Sequence, residues 1–354
     1  MKKIFFVVLS TVIIVASCKK DTTTTDTPST DVNINYPAVY VVNGEDASVS
    51  VIKLSTQEVV ATINLNAKVA TTDSIMFPHH ISYYGGRLSL GVPGMDFSLG
   101  HSGISTAGMM GRLLILDAVN GSTFKNMSLP LMNHNTIYSP DGKEVWVPQM
   151  DMPGNVLVYD ATTFVLKNTI AMGMMPAELT FSSNGAKAYV ANGDDDNVIV
   201  INVSTKAVVA TIAVGDNPVG AWTGSDGRMY VDNEDGQTIS VINVAGDSVQ
   251  QTIALGFMPG FAAHNSLKNE LWVSDPMNGK VHYWTWDAAM NMWMHGGLFA
   301  VGAGAHAIAF TGDGNTAYVT NQTANTVSVV NVSNHAVSKT INVGKKPNGL
   351  VIKN

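Results

Sequence analysis

The chain has 354 residues, of which 13% are charged and 45% hydrophobic, with a formal net charge of -7 and one cysteine, Cys18. A lone cysteine excludes an intrachain disulfide framework, a CxxC redox pair and a cysteine-based zinc site. With 20 basic side chains against 27 acidic ones there is no excess to neutralise phosphates, which counts against nucleic acid as a partner and suits a cationic ligand better.

The first element is a targeting signal. Lys2 and Lys3 precede an apolar run from Ile4 to Val15, then Ala16 and Ser17. The run is too short to span a bilayer and reads as a secretory signal over residues 1–17. Val15-Ala16-Ser17-Cys18 resembles the lipobox of bacterial lipoproteins, which implies lipidation of Cys18, attachment to the membrane through that lipid, and a place in the cell envelope at the outer membrane, facing the periplasm or the outside. Residues 18–35 then form the lipidated cysteine and a tether rich in Thr, Asp and Pro that has too little apolar surface to fold.

From residue 36 the chain repeats. The units open at Pro78, Met132, Pro176, Pro218, Pro259, Ala305 and Pro347, spaced 54, 44, 42, 41, 46 and 42 residues apart. That spacing lies in the range of propeller blades. The unit from Pro176 shows four β-branched runs, ELTFS, KAYVAN, NVIVINV and VVATIAV, parted by Asn184-Gly185, Gly193–Asp196 and Ser204–Lys206. Such punctuation is that of an antiparallel meander. The last unit, PNGLVIKN, holds one strand, and the first segment supplies the three it lacks, AVYVVN, SVSVIKL and VVATINL. The expected fold over residues 36–354 is therefore all-β: seven four-stranded antiparallel blades, the ring closed by the C-terminal strand pairing with the N-terminal segment.

Tyr318-Val319-Thr320-Asn321, Thr326–Asn331 and Thr340–Pro347, with Ala188–Asn192 as a second copy, resemble the YVTN-type repeat of YncE-like propellers. The resemblance covers the whole of residues 36–354. It implies the fold and leaves the role open, since surface-layer proteins, secreted YncE-like proteins and, more distantly, the propellers of nitrous oxide reductase and cytochrome d1 nitrite reductase are similar.

In a propeller, the loop into each innermost strand and the loop between the second and third strands open on one face. Twelve of the 18 methionines fall in those loops: Met76, Met95, Met109, Met110, Met132, Met150, Met152, Met172, Met174, Met175, Met258 and Met277. Core filling explains loop methionine poorly. Histidine follows the same bias. His80, His134 and Glu178 stand two residues after successive unit openings, and His79 and His306 stand one residue after theirs. His101 lies in a long insertion, GVPGMDFSLGHSGISTAGMMG, on the same face, and His264 lies five residues after its unit opening. Equivalent positions in a closed ring converge on one axis, so His79, His80, His134, Glu178 and His306, with His101, His264, Met95, Met150 and Met152, form a candidate metal site. Imidazole and thioether together favour copper, whereas Glu178 and Asp96 also suit zinc. His79-His80 resembles the paired histidines of the nitrous oxide reductase copper cluster, but the chain has neither a full ring of seven histidines nor the cysteines of that enzyme's other copper domain. The alternative is that these histidines only hydrogen-bond to backbone around the channel.

No G-x-S-x-G elbow, P-loop or dinucleotide fingerprint occurs. The acidic loop Gly193–Asn197 offers too few ligands for calcium. Tyr283, Trp284, Trp286 and Trp293 gather in one blade, either as an exposed platform or packed between blades. Three functions stay open: a lipid-anchored binding module for copper, with zinc second; a scaffold presenting the same face to a protein or glycan; and a metal-dependent hydrolase or lactonase with Glu178 as base.

Overall fold

A computed structural model describes residues 32–67, 74–106 and 108–354. The leader, Cys18 and most of the tether lie outside the described residues, and no helix among those described is long and apolar enough to cross a membrane.

Seven separate four-stranded antiparallel sheets form the ring. Their innermost strands, from the first blade to the seventh, are Pro347–Lys353, Ile81–Tyr84, Ile137–Tyr138, Pro176–Phe181, Pro218–Thr223, Phe261–Asn265 and Ala305–Phe310. Closure is as the repeat arithmetic expects. Ala38–Asn43 pairs on one side with Ser48–Lys53 and on the other with the C-terminal strand, matching Ala38 to Lys353 and Val41 to Leu350. Ala38–Asn43 thus has no free edge.

The repeat residues have distinct structural duties. Tyr40, Tyr189, Tyr230 and Tyr318 are buried between blades, and their hydroxyls reach out of the apolar layer where a partner exists, as Tyr189 donates to Asp247 at 2.7 Å. The asparagine closing the same strand ties the following hairpin. Asn321 Nδ2 donates to Thr326 Oγ1 and Ser328 Oγ at 3.0 and 2.9 Å, and Asn43 makes the same pair of bonds to Ser48 and Ser50. The apolar core is therefore a set of clusters between neighbouring blades, where each fully buried Val, Leu or Ile contributes roughly 1.5–3 kcal/mol. Trp284 and Trp293 belong to one of these clusters with Tyr230 and Phe257, which decides between the two readings of the tryptophan group in favour of packing.

Candidate metal centre

Two glycines fix the histidine pair at the mouth of the second blade. Gly91 on the neighbouring strand accepts from His79 N at 2.9 Å and donates to His80 O at 3.1 Å, while Gly349 of the first blade donates to His79 O at 3.0 Å. A Cβ at Gly349 would stand 2.8 Å from His79 O and His80 Cα, and one at Gly91 would stand 2.2 Å from His134 O. Only glycine lets the backbones carrying His79, His80 and His134 close together.

The result is five imidazoles in contact. Ring centroids are 4.5 Å apart for His79 and His80, 4.4 Å for His79 and His134, 4.6 Å for His80 and His134, and 4.8 Å for His101 and His134. His306 reaches from the seventh blade to within 5.6 Å of His79 and 5.9 Å of His80. All five are buried. One ring nitrogen from each of His79, His80 and His134 lies within 4.8 Å of the other two. The insertion folds over them, with Phe97 packed against His101 and His79 at centroid distances of 4.6 and 5.5 Å.

Carboxylates orient the rings. Glu178 Oε2 is 2.7 Å from His134 Nδ1 and 3.9 Å from His80 Nε2, and its other oxygen accepts from Asn135 Nδ2 at 2.6 Å. Glu234 Oε1 is 2.9 Å from His101 Nδ1, and its Oε2 accepts from His101 N at 2.9 Å, so this one side chain pins the insertion to the fifth blade. Beside it, Asp232 Oδ1 accepts from Trp222 Nε1 at 2.5 Å.

Between the two carboxylates the histidines meet: His101 Nε2 and His134 Nε2 are 3.0 Å apart. If both rings give their Nδ1 protons to ionised carboxylates, two lone pairs face each other. The two carboxyls differ in their surroundings. Burial pushes Glu178 well above the usual carboxyl range, with the charge of Asp232 adding to it. Burial also raises Glu234, but the charge and hydrogen bonds of His101 outweigh it and hold that carboxyl low. A proton on Glu178 lets His134 donate through Nε2 to His101, which donates through Nδ1 to Glu234, so one proton completes the line. His79, His80 and His134 are held well below the ordinary imidazole value by burial first and by one another second, and His306 is pushed down to about 4 by burial. They stand as neutral bases. Both ring nitrogens of His79 and Nδ1 of His306 are buried with no hydrogen-bond partner among the described residues.

Not every residue singled out from the repeat joins this group. His264 is buried between the fifth and sixth blades against Tyr230 and Trp293, 3.8 Å from Asp226 Oδ2, because five residues into its unit it has passed along the strand away from the mouth. Met150 is buried and Met95 half-buried in an adjoining apolar cluster with Phe97, whereas Met152 is exposed. Asp96 pairs with Lys346 and is not directed at the rings. Two acidic residues escaped notice, Asp232 and Glu234. The signal was a departure from the repeat: Tyr230-Val231-Asp232-Asn233 carries aspartate where the copies at Ala191 and Thr320 have small or hydroxyl side chains, and Glu234 follows directly.

Toward the opposite end of the channel, a cavity of about 160 Å³ touches His80, Glu178, Asn135, Thr180, Trp222 and Phe261.

The model of the YNCE-like beta-propeller family matches residues 131–354, more than half the chain. The chain belongs to that family. No curated protein matches it. Among solved structures, a functionally unknown protein from Desulfotomaculum acetoxidans has a TM-score of 0.70 at 11% identity, with 89% of this chain and 98% of that one covered. A periplasmic gluconolactonase from Pseudomonas aeruginosa gives 0.69 at 15%, covering 90% and 99%. A candidate 6-phosphogluconolactonase from Bacteroides fragilis gives 0.68 at 14%, again covering 90% and 99%. At these identities the likeness is one of fold.

Proposed function

We propose that this YNCE-like propeller is an extracytoplasmic, lipid-anchored metal-binding module whose axial histidines hold one transition-metal ion, copper in preference to zinc. The observation that carries the reading is the 3.0 Å separation of His101 Nε2 and His134 Nε2, with His79 and His80 nitrogens close by. Two nitrogens on one ion at bond lengths of about 2.0–2.1 Å lie that far apart when they subtend roughly 90–95° at the metal. Glu178 on His134 and Glu234 on His101 are the outer carboxylates that raise the basicity of such ligands and fix their tautomers. Neutral, dehydrated imidazoles with unpartnered nitrogens favour the ion over a proton, and the affinity order of divalent metals at nitrogen sites puts copper above zinc. The burial of all five rings leaves no open face for substrate on the insertion side, so the site suits retention of metal more than hydrolysis.

Equilibrating metal-free protein with copper, desalting, and measuring bound metal tests this. One ion per chain is expected, lost in a His79→Ala, His80→Ala, His134→Ala variant; a content near zero in the parent protein would sink the reading. The anchor is tested separately by Cys18→Ala, which should release the protein from membranes.

A second reading, a lactone hydrolase, is favoured by the cavity that reaches His80 and Glu178 from the other end of the channel. Glucono-lactone hydrolysis by the metal-loaded protein, abolished by Glu178→Gln, would support it.

A further inference from the structure

Methionine is distributed unevenly between the apolar clusters of the ring. The cluster beside the histidines holds Met132, Met150 and Met175 among its buried members, with Met95 and Met109 packed against it. Of the other seven clusters among the described residues, only two have a buried methionine, Met172 in one and Met229 in another. All eight fill gaps between blades or loops with branched and aromatic side chains available, so gap-filling does not account for thioethers concentrated at one place. Phe97 belongs to this cluster and also touches the rings of His79, His101 and His134. Phe97 thus links the methionine cluster to the imidazoles.

The cluster also has an outward side. Met109, Met150 and Met175 each have a methionine one or two residues away that is exposed, Met110 by 60%, Met152 by 48% and Met174 by 38%. Met152 and Met174 thus lie exposed beside buried Met150 and Met175, and exposed Met110 beside half-buried Met109, on three different loops. The backbones inside are stitched together, as Met150 N donates to Met132 O at 2.9 Å. Neutral thioethers are weak ligands for hard or doubly charged ions and good ones for soft monovalent ions.

We propose that this methionine cluster is a second, soft-metal site that captures Cu(I) through Met110, Met152 and Met174 and holds it on the interior sulfurs before it passes to the imidazoles. Capture requires only the sulfurs; the destination rests on the reading of the histidines as a copper centre. No redox step is involved, since the ion arrives and moves as Cu(I).

Ag(I) serves as a redox-inert stand-in. Titrating it into metal-free protein should shift the methyl resonances of the interior methionines, and the shifts should persist when His79, His80 and His134 are replaced by alanine. A Met132→Leu, Met150→Leu, Met175→Leu variant, a volume-conserving exchange that keeps the fold, should bind Ag(I) at least tenfold more weakly. Met110→Leu, Met152→Leu, Met174→Leu should slow Cu(I) uptake from its bathocuproine disulfonate complex about tenfold while Cu(II) uptake is unchanged. Methyl resonances that do not move on adding Ag(I), or leucine variants that bind and load like the parent, would overturn the proposal. Loss of copper from the histidines with the methionine shifts intact would instead overturn only the histidine centre.

Discussion

His101 and His134 point their Nε2 atoms at each other across 3.0 Å, although one comes from an insertion of the second blade and the other opens the third. Each is held from behind by a buried glutamate of another blade, Glu234 of the fifth and Glu178 of the fourth. The four side chains form a single line across the end of the channel. It can be completed by one proton between the nitrogens or by an ion bound to both from one side.

In the proposed metal centre Glu178 would act on the ion through His134. Glu178→Gln keeps the shape and the hydrogen bond with Asn135 but removes the charge behind the imidazole. Copper affinity should fall about 10–100-fold, with little change in melting temperature. Competition with a chromophoric chelator reads this directly; an unchanged affinity would show that Glu178 is only a structural partner.

His264 is the control. It packs between Tyr230 and Trp293, far from the ring cluster in the order of its strand. His264→Ala should leave copper stoichiometry as it is and lower stability by about 0.5–3 kcal/mol through the packing it loses. Loss of metal with stability retained would contradict the placement.

Acid should weaken the metal-free protein. His79, His80, His134 and His306 have folded-state values below the unfolded imidazole value of about 6.5, so the unfolded chain takes up more protons as pH falls and their contribution is lost as pH drops below about 6.5, for His306 down to about 4. Glu234, held low, adds to that sign. Glu178 and Asp232, the latter raised to about 7 by burial and by Glu234, act oppositely, contributing at low pH and losing that contribution as pH rises. Four imidazoles outweigh two carboxyls, and the urea midpoint should be lower at pH 5 than at pH 7. An equal or higher midpoint at pH 5 would mean that the rings are charged in the folded state.

Closure of the ring is testable by deletion. Removing residues 347–354 takes the innermost strand from the first blade, including Leu350, and removes the Gly349 bond that holds His79. Typical domain stabilities are about 5–15 kcal/mol, and the loss of a whole paired strand is of that order. The truncated chain should fail to give a cooperative melting transition; a transition within a few degrees of the parent would show that the strand is an ornament.

The fold was legible because β-branched runs and turn residues repeat with the blade, and the one strand at the C-terminal end and three at the N-terminal end complete a single blade. Position within the repeat also brought His79, His80, His134, His306 and Glu178 to one place, since equivalent positions share an axis. His264 shows the limit of that logic: five residues into a strand, the side chain belongs to an interblade layer. At the position of His80, His134 and Glu178, the fifth and first blades carry Gly220 and Gly349, where a Cβ would stand 2.3 Å from Asp232 Oδ1 and 2.8 Å from His79 O, so glycine there marks the close approach of neighbours to the cluster. Asp232 and Glu234 were legible only as departures from the repeat; Asp232 pairs with Trp222 within its own blade, whereas the partner of Glu234, His101, lies on the insertion.

One ion is expected among His79, His80, His101 and His134. Anomalous diffraction at the copper edge from crystals of copper-loaded protein tests it most directly. A single peak about 2 Å from these ring nitrogens is predicted; a peak elsewhere, or none in protein shown to fold, would contradict it.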